Sequence, residues 1–181
     1  MDRNLAMNRE LAAAFRDLPS SGTKFDRAMR VVAAYDRAAR PFLLKLLTHP
    51  DPDWQRAAAT AFARLQSTPS RALPGLLRLV TAPSTSGRVA ALAAMDWLPT
   101  RAKNRATPTV VRVLLRRPAK EPTFTGGRSH VPRAVAAQWL GLHGGTRGIE
   151  ALRRAKRWRE DPVLHQVEAA LGSATGEAMK P

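Results

Sequence analysis

Arg56, Arg64, Arg88 and Arg133 recur in alanine-rich stretches, and a planar guanidinium holds a phosphate or carboxylate through two parallel hydrogen bonds. Arg56 and Arg64 stand eight residues apart, which keeps them on nearly one face of a helix. Arg88 and Arg133 take equivalent places in the next two stretches, so the four build a ladder along a groove if the stretches stack. The competing reading is that they satisfy turn carbonyls or pair with Asp51, Asp53 and Asp96. Arg101, Lys103 and Arg105 place three cations within five residues on a segment that reads as a loop, either contacting phosphate or serving as a solvated linker. Arg128 follows Gly126-Gly127, whose amides suit an anion, yet the Lys-Ser/Thr ending and strand-to-helix context of a nucleotide-binding loop are missing. Trp97 falls where an outward side chain is expected, and an exposed indole among cations can stack on an unpaired base.

Other chemistry finds little support in the residues. There is no cysteine, which excludes disulfides, thiolate metal sites and cysteine nucleophiles. His49, His130, His143 and His165 show no metal-ligand spacing, and no Ser-His-Asp arrangement stands out. No cofactor and no metal are expected, and the balance is against an enzyme.

The charge is uneven. The net charge is +16, and residues 54–120 carry twelve basic side chains against Asp96 alone. Such a block attracts polyanions, with nucleic acid or an acidic protein as candidates. Arginine outnumbers lysine 24 to 6, which genome composition would also explain. With 44% apolar and 24% charged residues, the composition is that of a soluble globular protein. Neither a signal-peptide core nor an apolar run of membrane-spanning length is evident, so a cytoplasmic protein is the expectation.

The elements that must position these groups are helices. Leu43-Leu44-Lys45-Leu46-Leu47, Leu76-Leu77-Arg78-Leu79-Val80 and Val110-Val111-Arg112-Val113-Leu114 form one phrase whose basic residue recurs after 33 and then 34 positions. Ala61 follows Lys45 by 16 residues and Ala94 follows Arg78 by 16, each in an alanine-rich helical stretch. This is a two-helix unit repeated, which buries its apolar face only by stacking on its neighbours. Residues 1–39 read as an N-terminal helical cap, 40–67, 70–98, 107–143 and 147–172 as repeats, and 173–181 as a flexible tail. Thr23 with Asp26 resembles a capping box for a helix reaching Ala39, Pro41 suits the first turn of the next, and Asp53 a cap. Lys45, Arg78, Arg112 and Arg153 read as a structural stripe whose stems cover the core while their charges reach water. Trp139 aligns with Ala61 and Ala94 at a core position, Trp54 is expected to pack inward, and Trp158 follows Arg154 at cation–π spacing.

Trp54 to Leu65, Gly87 to Leu98, Pro132 to Gly141 and Val163 to Gly172 resemble the second helix of HEAT-type repeats, near Val-Arg-x-x-Ala-Ala-x-Ala-Leu-Gly-x-Leu. The resemblance covers residues 40–172 and implies an all-α, α-α superhelix, a solenoid of antiparallel helix pairs. It implies that second helices line a concave face, and it is nearly silent about activity. Three functional readings stay open. One is a non-enzymatic scaffold whose basic surface engages an acidic partner, nucleic acid among the candidates. Another is a protein-interaction adaptor with incidental charge. The third follows from a resemblance to HEAT-fold alkylpurine DNA glycosylases in repeats, basic face and tryptophans, and implies base excision with Asp96 as the catalytic carboxylate.

Overall fold

The computed structural model describes residues 3–116, 132–157 and 163–176. All regular structure among them is helical: α1 (Arg3–Asp17), α2 (Thr23–Ala34), α3 (Asp36–Leu46), α4 (Pro52–Arg64), α5 (Leu73–Thr81), α6 (Thr85–Met95), α7 (Thr100–Leu115), α8 (Pro132–His143), α9 (Gly145–Lys156) and α10 (Leu164–Thr175). A 3-10 turn, Ser70–Ala72, leads into α5. No described helix is long and apolar enough to cross a membrane.

The helices associate in pairs, α3 with α4, α5 with α6, α7 with α8 and α9 with α10, while α1 packs on α2. Between pairs the contacts include two rows, and α8 also packs on α9. The second helices touch in the order α4, α6, α8, α10, and the first helices in the order α5, α7, α9. Alanine is the reason the second row packs closely: Ala57, Ala58, Ala59 and Ala61 on α4, Ala90, Ala91 and Ala94 on α6, and Ala134, Ala136 and Ala137 on α8 are all buried. A short side chain lets two helix axes approach toward the lower end of the ~8–10 Å range. At Gly141 the approach is closer still, since a Cβ there would lie 2.7 Å from the Ala170 carbonyl oxygen. Leu43, Phe62, Leu76, Leu92, Met95, Leu114, Trp139 and Leu152 fill the continuous core that results.

Several boundaries differ from the sequence expectation. Helix α2 stops at Ala34 because Tyr35 leaves helical geometry (φ −115°, ψ 33°), and α3 then starts at Asp36 rather than Pro41. Asp36 binds Arg40 one turn on at 2.6 Å, and the exposed Pro41 falls inside the helix. Gly22 (φ 63°), not Thr23, precedes the first turn of α2. The cap of α4 is Asp51, whose carboxylate accepts the Asp53 N–H at 2.8 Å with Pro52 opening the helix. Helix α10 runs through Gly172 and is closed by Gly176 at φ 73°, a left-handed geometry that favours glycine.

The largest difference concerns α7. Residues 101–105, expected as a loop, are helical, and the helix begins seven residues before the Thr107-Pro108 start read from the sequence. The apolar stripe explains it. Ala102, Ala106, Val110 and Val113 or Leu114 recur at helical spacing and are buried on both sides of Pro108. Pro108 itself is exposed, so its missing N–H and its ring fall on the water side of the helix.

Candidate functional site

The arginines of the second-helix row do not present a ladder of free cations. Arg56 pairs with Asp53 at 3.4 Å, and Arg64 pairs with Asp26 at 2.7 Å with its guanidinium carbon 4.8 Å from the centre of the Phe25 ring. Arg88 is half-buried, its Nε sheltered without a hydrogen-bond partner. Arg133 is 4% exposed and donates from Nε to the Leu114 carbonyl at 2.9 Å. The last carbonyls of a helix have no partner within it, so Arg133, at the start of α8, caps the end of α7 and is not a surface ligand. Arg128 lies outside the described residues, as do Trp158 and the segment between Arg116 and Pro132.

The free cations stand on the other row. Arg101, Arg105, Arg112 and Arg116 are all exposed, and none forms an ion pair among the described residues. At 100° per residue these four directions fall within about 60° of one another, making one stripe about 22 Å long at 1.5 Å per residue. Helix α7 contains no acidic residue, and neither does α5. On the α5 side stand exposed Arg71 and Arg78; on the α9 side, exposed Arg147, Arg153, Arg154 and Arg157. Lys45, on α3, is likewise exposed. Because α5, α7 and α9 lie side by side with their apolar positions turned to the core, these cations share the outer surface. Glu150 is the one acidic residue on the three helices.

Lys103 points about 160° away from Arg101 around the helix. It meets a different group of side chains, where α6, α7 and α8 join. Its Nζ lies 3.5 Å from each ring nitrogen of His143, whose Nε2 is 3.3 Å from Asp96 Oδ1. The Trp139 ring, 2% exposed, meets His143 edge-on at 5.3 Å, its own Nε1 buried without a partner. Asp96 Oδ1 is sheltered and its contact with His143 is a short charge approach, not an aligned hydrogen bond. Loss of water pushes the Asp96 carboxyl above its ordinary range, opposed by His143 and Lys103. The same desolvation, reinforced by Lys103, lowers His143, and Asp96 works against it. Asp96, half-exposed, thus has His143 and Lys103 as its neighbours within the protein. Among the described residues no three His, Asp or Glu side chains converge to hold a metal ion.

Trp97 follows Asp96 and is 43% exposed, in line with its outward assignment. Its corner is fixed from the preceding unit: buried Thr68 donates its hydroxyl to the Ala94 carbonyl at 2.8 Å and its N–H to the Trp97 carbonyl at 3.3 Å. Leu98 on its other side is buried. Trp54 is half-buried against His49, ring centres 5.6 Å apart.

Thr107-Pro108 resembles a helix start in the sequence, which separates Arg101 and Arg105 from Arg112 and Arg116 and hides the α7 stripe. The intervals of four, seven and four residues carried the signal. The Asp96–His143 contact joins residues 47 positions apart and has no local signature.

No protein-family model matches the chain, and no curated protein matches it. Among solved structures the chain is similar to the crystal structure of an engineered protein from the Northeast Structural Genomics Consortium. The two are 20% identical with a TM-score of 0.56, over 97% of this chain and 83% of the other, a likeness of helical fold alone.

Proposed function

We propose that the protein is a non-enzymatic helical-repeat scaffold, a HEAT-like superhelical solenoid, that binds nucleic acid through its phosphates by way of the first-helix surface. The observation that carries this reading is the α7 stripe: four exposed arginines on one face, with no acid on α7 or on the flanking α5. A guanidinium free of ion pairs can bind a phosphate without first breaking a contact, and each phosphate neutralised releases condensed counterions. Repetition supports the fold reading, since the second helices touch in sequence order and so do the first helices of the last three pairs.

The test is anisotropy of a labelled oligonucleotide over a salt series. The affinity should fall with log salt at a slope of about −0.7 to −0.9 per phosphate contact, and Arg105→Gln with Arg112→Gln should weaken binding about tenfold or more and flatten the slope by about two contacts. Salt-insensitive binding, or an unaltered slope in the double variant, would remove the stripe from the interface. Small-angle scattering tests the solenoid: an elongated particle is expected, and a spherical one contradicts it.

A further inference from the structure

Trp97 is unusual among the large side chains in standing in water at a corner that is otherwise held fast. Met95 and Leu98 beside it are buried, and the Thr68 N–H holds its carbonyl. An indole on such a corner loses little backbone freedom when something lies against it, which favours a flat, apolar face as its ligand. The corner leads directly into the cation stripe. Pro99 precedes α7, and Arg101, the first arginine of the stripe, is four residues from Trp97, so their Cα atoms lie within about 14 Å even if the chain between them were extended. Both side chains are exposed. The neighbouring Asp96 is half-exposed, but its Oδ1 is turned to His143, with the Lys103 ammonium against the same ring, so protein groups offset part of its repulsion of a phosphate.

Resting on the reading of the α7 stripe as a phosphate-binding surface, the geometry points to a single-stranded partner: an unpaired base stacks on Trp97 while Arg101 and the arginines beyond it hold the phosphates of the same strand. A duplex keeps its base faces stacked inside and offers a surface ring only sugar and edges, whereas every base of a single strand has a free π-face. A single strand can also lay successive phosphates along a straight helix, which the fixed curvature of a duplex allows over a shorter stretch. The surface therefore selects by the state of the bases and not by their identity.

Three probes separate the possibilities: an oligothymidylate of about 20 nucleotides, a duplex of equal length and inorganic polyphosphate, titrated at low salt. Trp97→Ala should weaken oligothymidylate binding about tenfold or more, Trp97→Phe should restore most of it, and neither should alter duplex or polyphosphate binding beyond about twofold. Because the ring is exposed, circular dichroism of both variants should match the parent. If Trp97→Ala leaves oligothymidylate affinity within about twofold, or weakens all three probes equally, stacking is overturned even though stripe-dependent binding survives. If Arg105→Gln with Arg112→Gln leaves all three affinities unchanged, the phosphate-binding surface fails first and the single-strand proposal falls with it.

Discussion

Two rows of helices carry arginine in this molecule, and they use it in opposite ways. In the second-helix row Arg56 and Arg64 are bound to carboxylates, Arg88 is half-buried, and Arg133 closes the end of a neighbouring helix. In the first-helix row Arg78, Arg101, Arg105, Arg112 and Arg116 face water, with no acid on α5 or α7. The residue type is the same, and what differs is its neighbourhood. Arg56, near a helix start, meets the carboxylate of Asp53, Arg133 meets the open carbonyls of the helix before it, and Arg64, at a helix end, meets Asp26 of α2. The arginines of α5 and α7 face water, with no carboxylate on their own helices to meet them. Abundance of a cation thus says less about binding than the distribution of its partners does.

This contrast can be broken by substitution. The largest effect is expected from replacing Arg101, Arg105, Arg112 and Arg116 together by Gln, which should weaken oligonucleotide binding by about a hundredfold at low salt, read by anisotropy, with little loss of stability. Next comes Arg133→Leu, which leaves the Leu114 carbonyl buried and open; unfolding free energy should fall by about 1–3 kcal/mol, read by urea titration, with affinity for the oligonucleotide unchanged. If Arg133→Leu weakened binding and spared stability, the distinction between the rows would be wrong.

A smaller effect is expected from pH. The folded His143 holds its proton less tightly than an ordinary imidazole near 6.5, so as pH falls through that value the unfolded chain takes up a proton that the folded one resists, and stability drops. Asp96 acts oppositely: its folded carboxyl takes up a proton above the ordinary 3.8, so protonation in that lower window relieves a cost. The urea midpoint should therefore decline on acidification below about 6.5, and His143→Gln should flatten this limb while leaving the region above it unaltered. The smallest effect is expected at Arg64→Gln: its ion pair with Asp26 is half-exposed, at 52% and 54%, so stability should change by no more than about 1 kcal/mol and binding not at all.

Much of the helical framework was legible because its signal is periodic. The phrases around Lys45, Arg78 and Arg112, and the alanines at 61 and 94, fall on helices that pair, with α4 touching α6 and α5 touching α7. Trp139 in the core and Trp97 in solvent followed from the same register. Proline misled the reading twice, at Pro41 and Pro108, where an exposed ring was tolerated inside a helix whose buried stripe ran on past it. The candidate site was less legible, since whether an arginine is free depends on which carboxylate or carbonyl the fold brings to it. Asp26 lies 38 residues from Arg64, and Leu114 lies 19 from Arg133. No spacing rule along the chain connects those pairs.

The two bonds of Thr68 link units that are otherwise joined by side-chain packing. They run from the segment after α4 to the far end of α6. A shift of α4 against α6 would therefore be felt in the backbone of the corner that bears Trp97. In a variant that keeps Trp97 as its one tryptophan, the emission of that exposed ring would register such a shift before any helix melts.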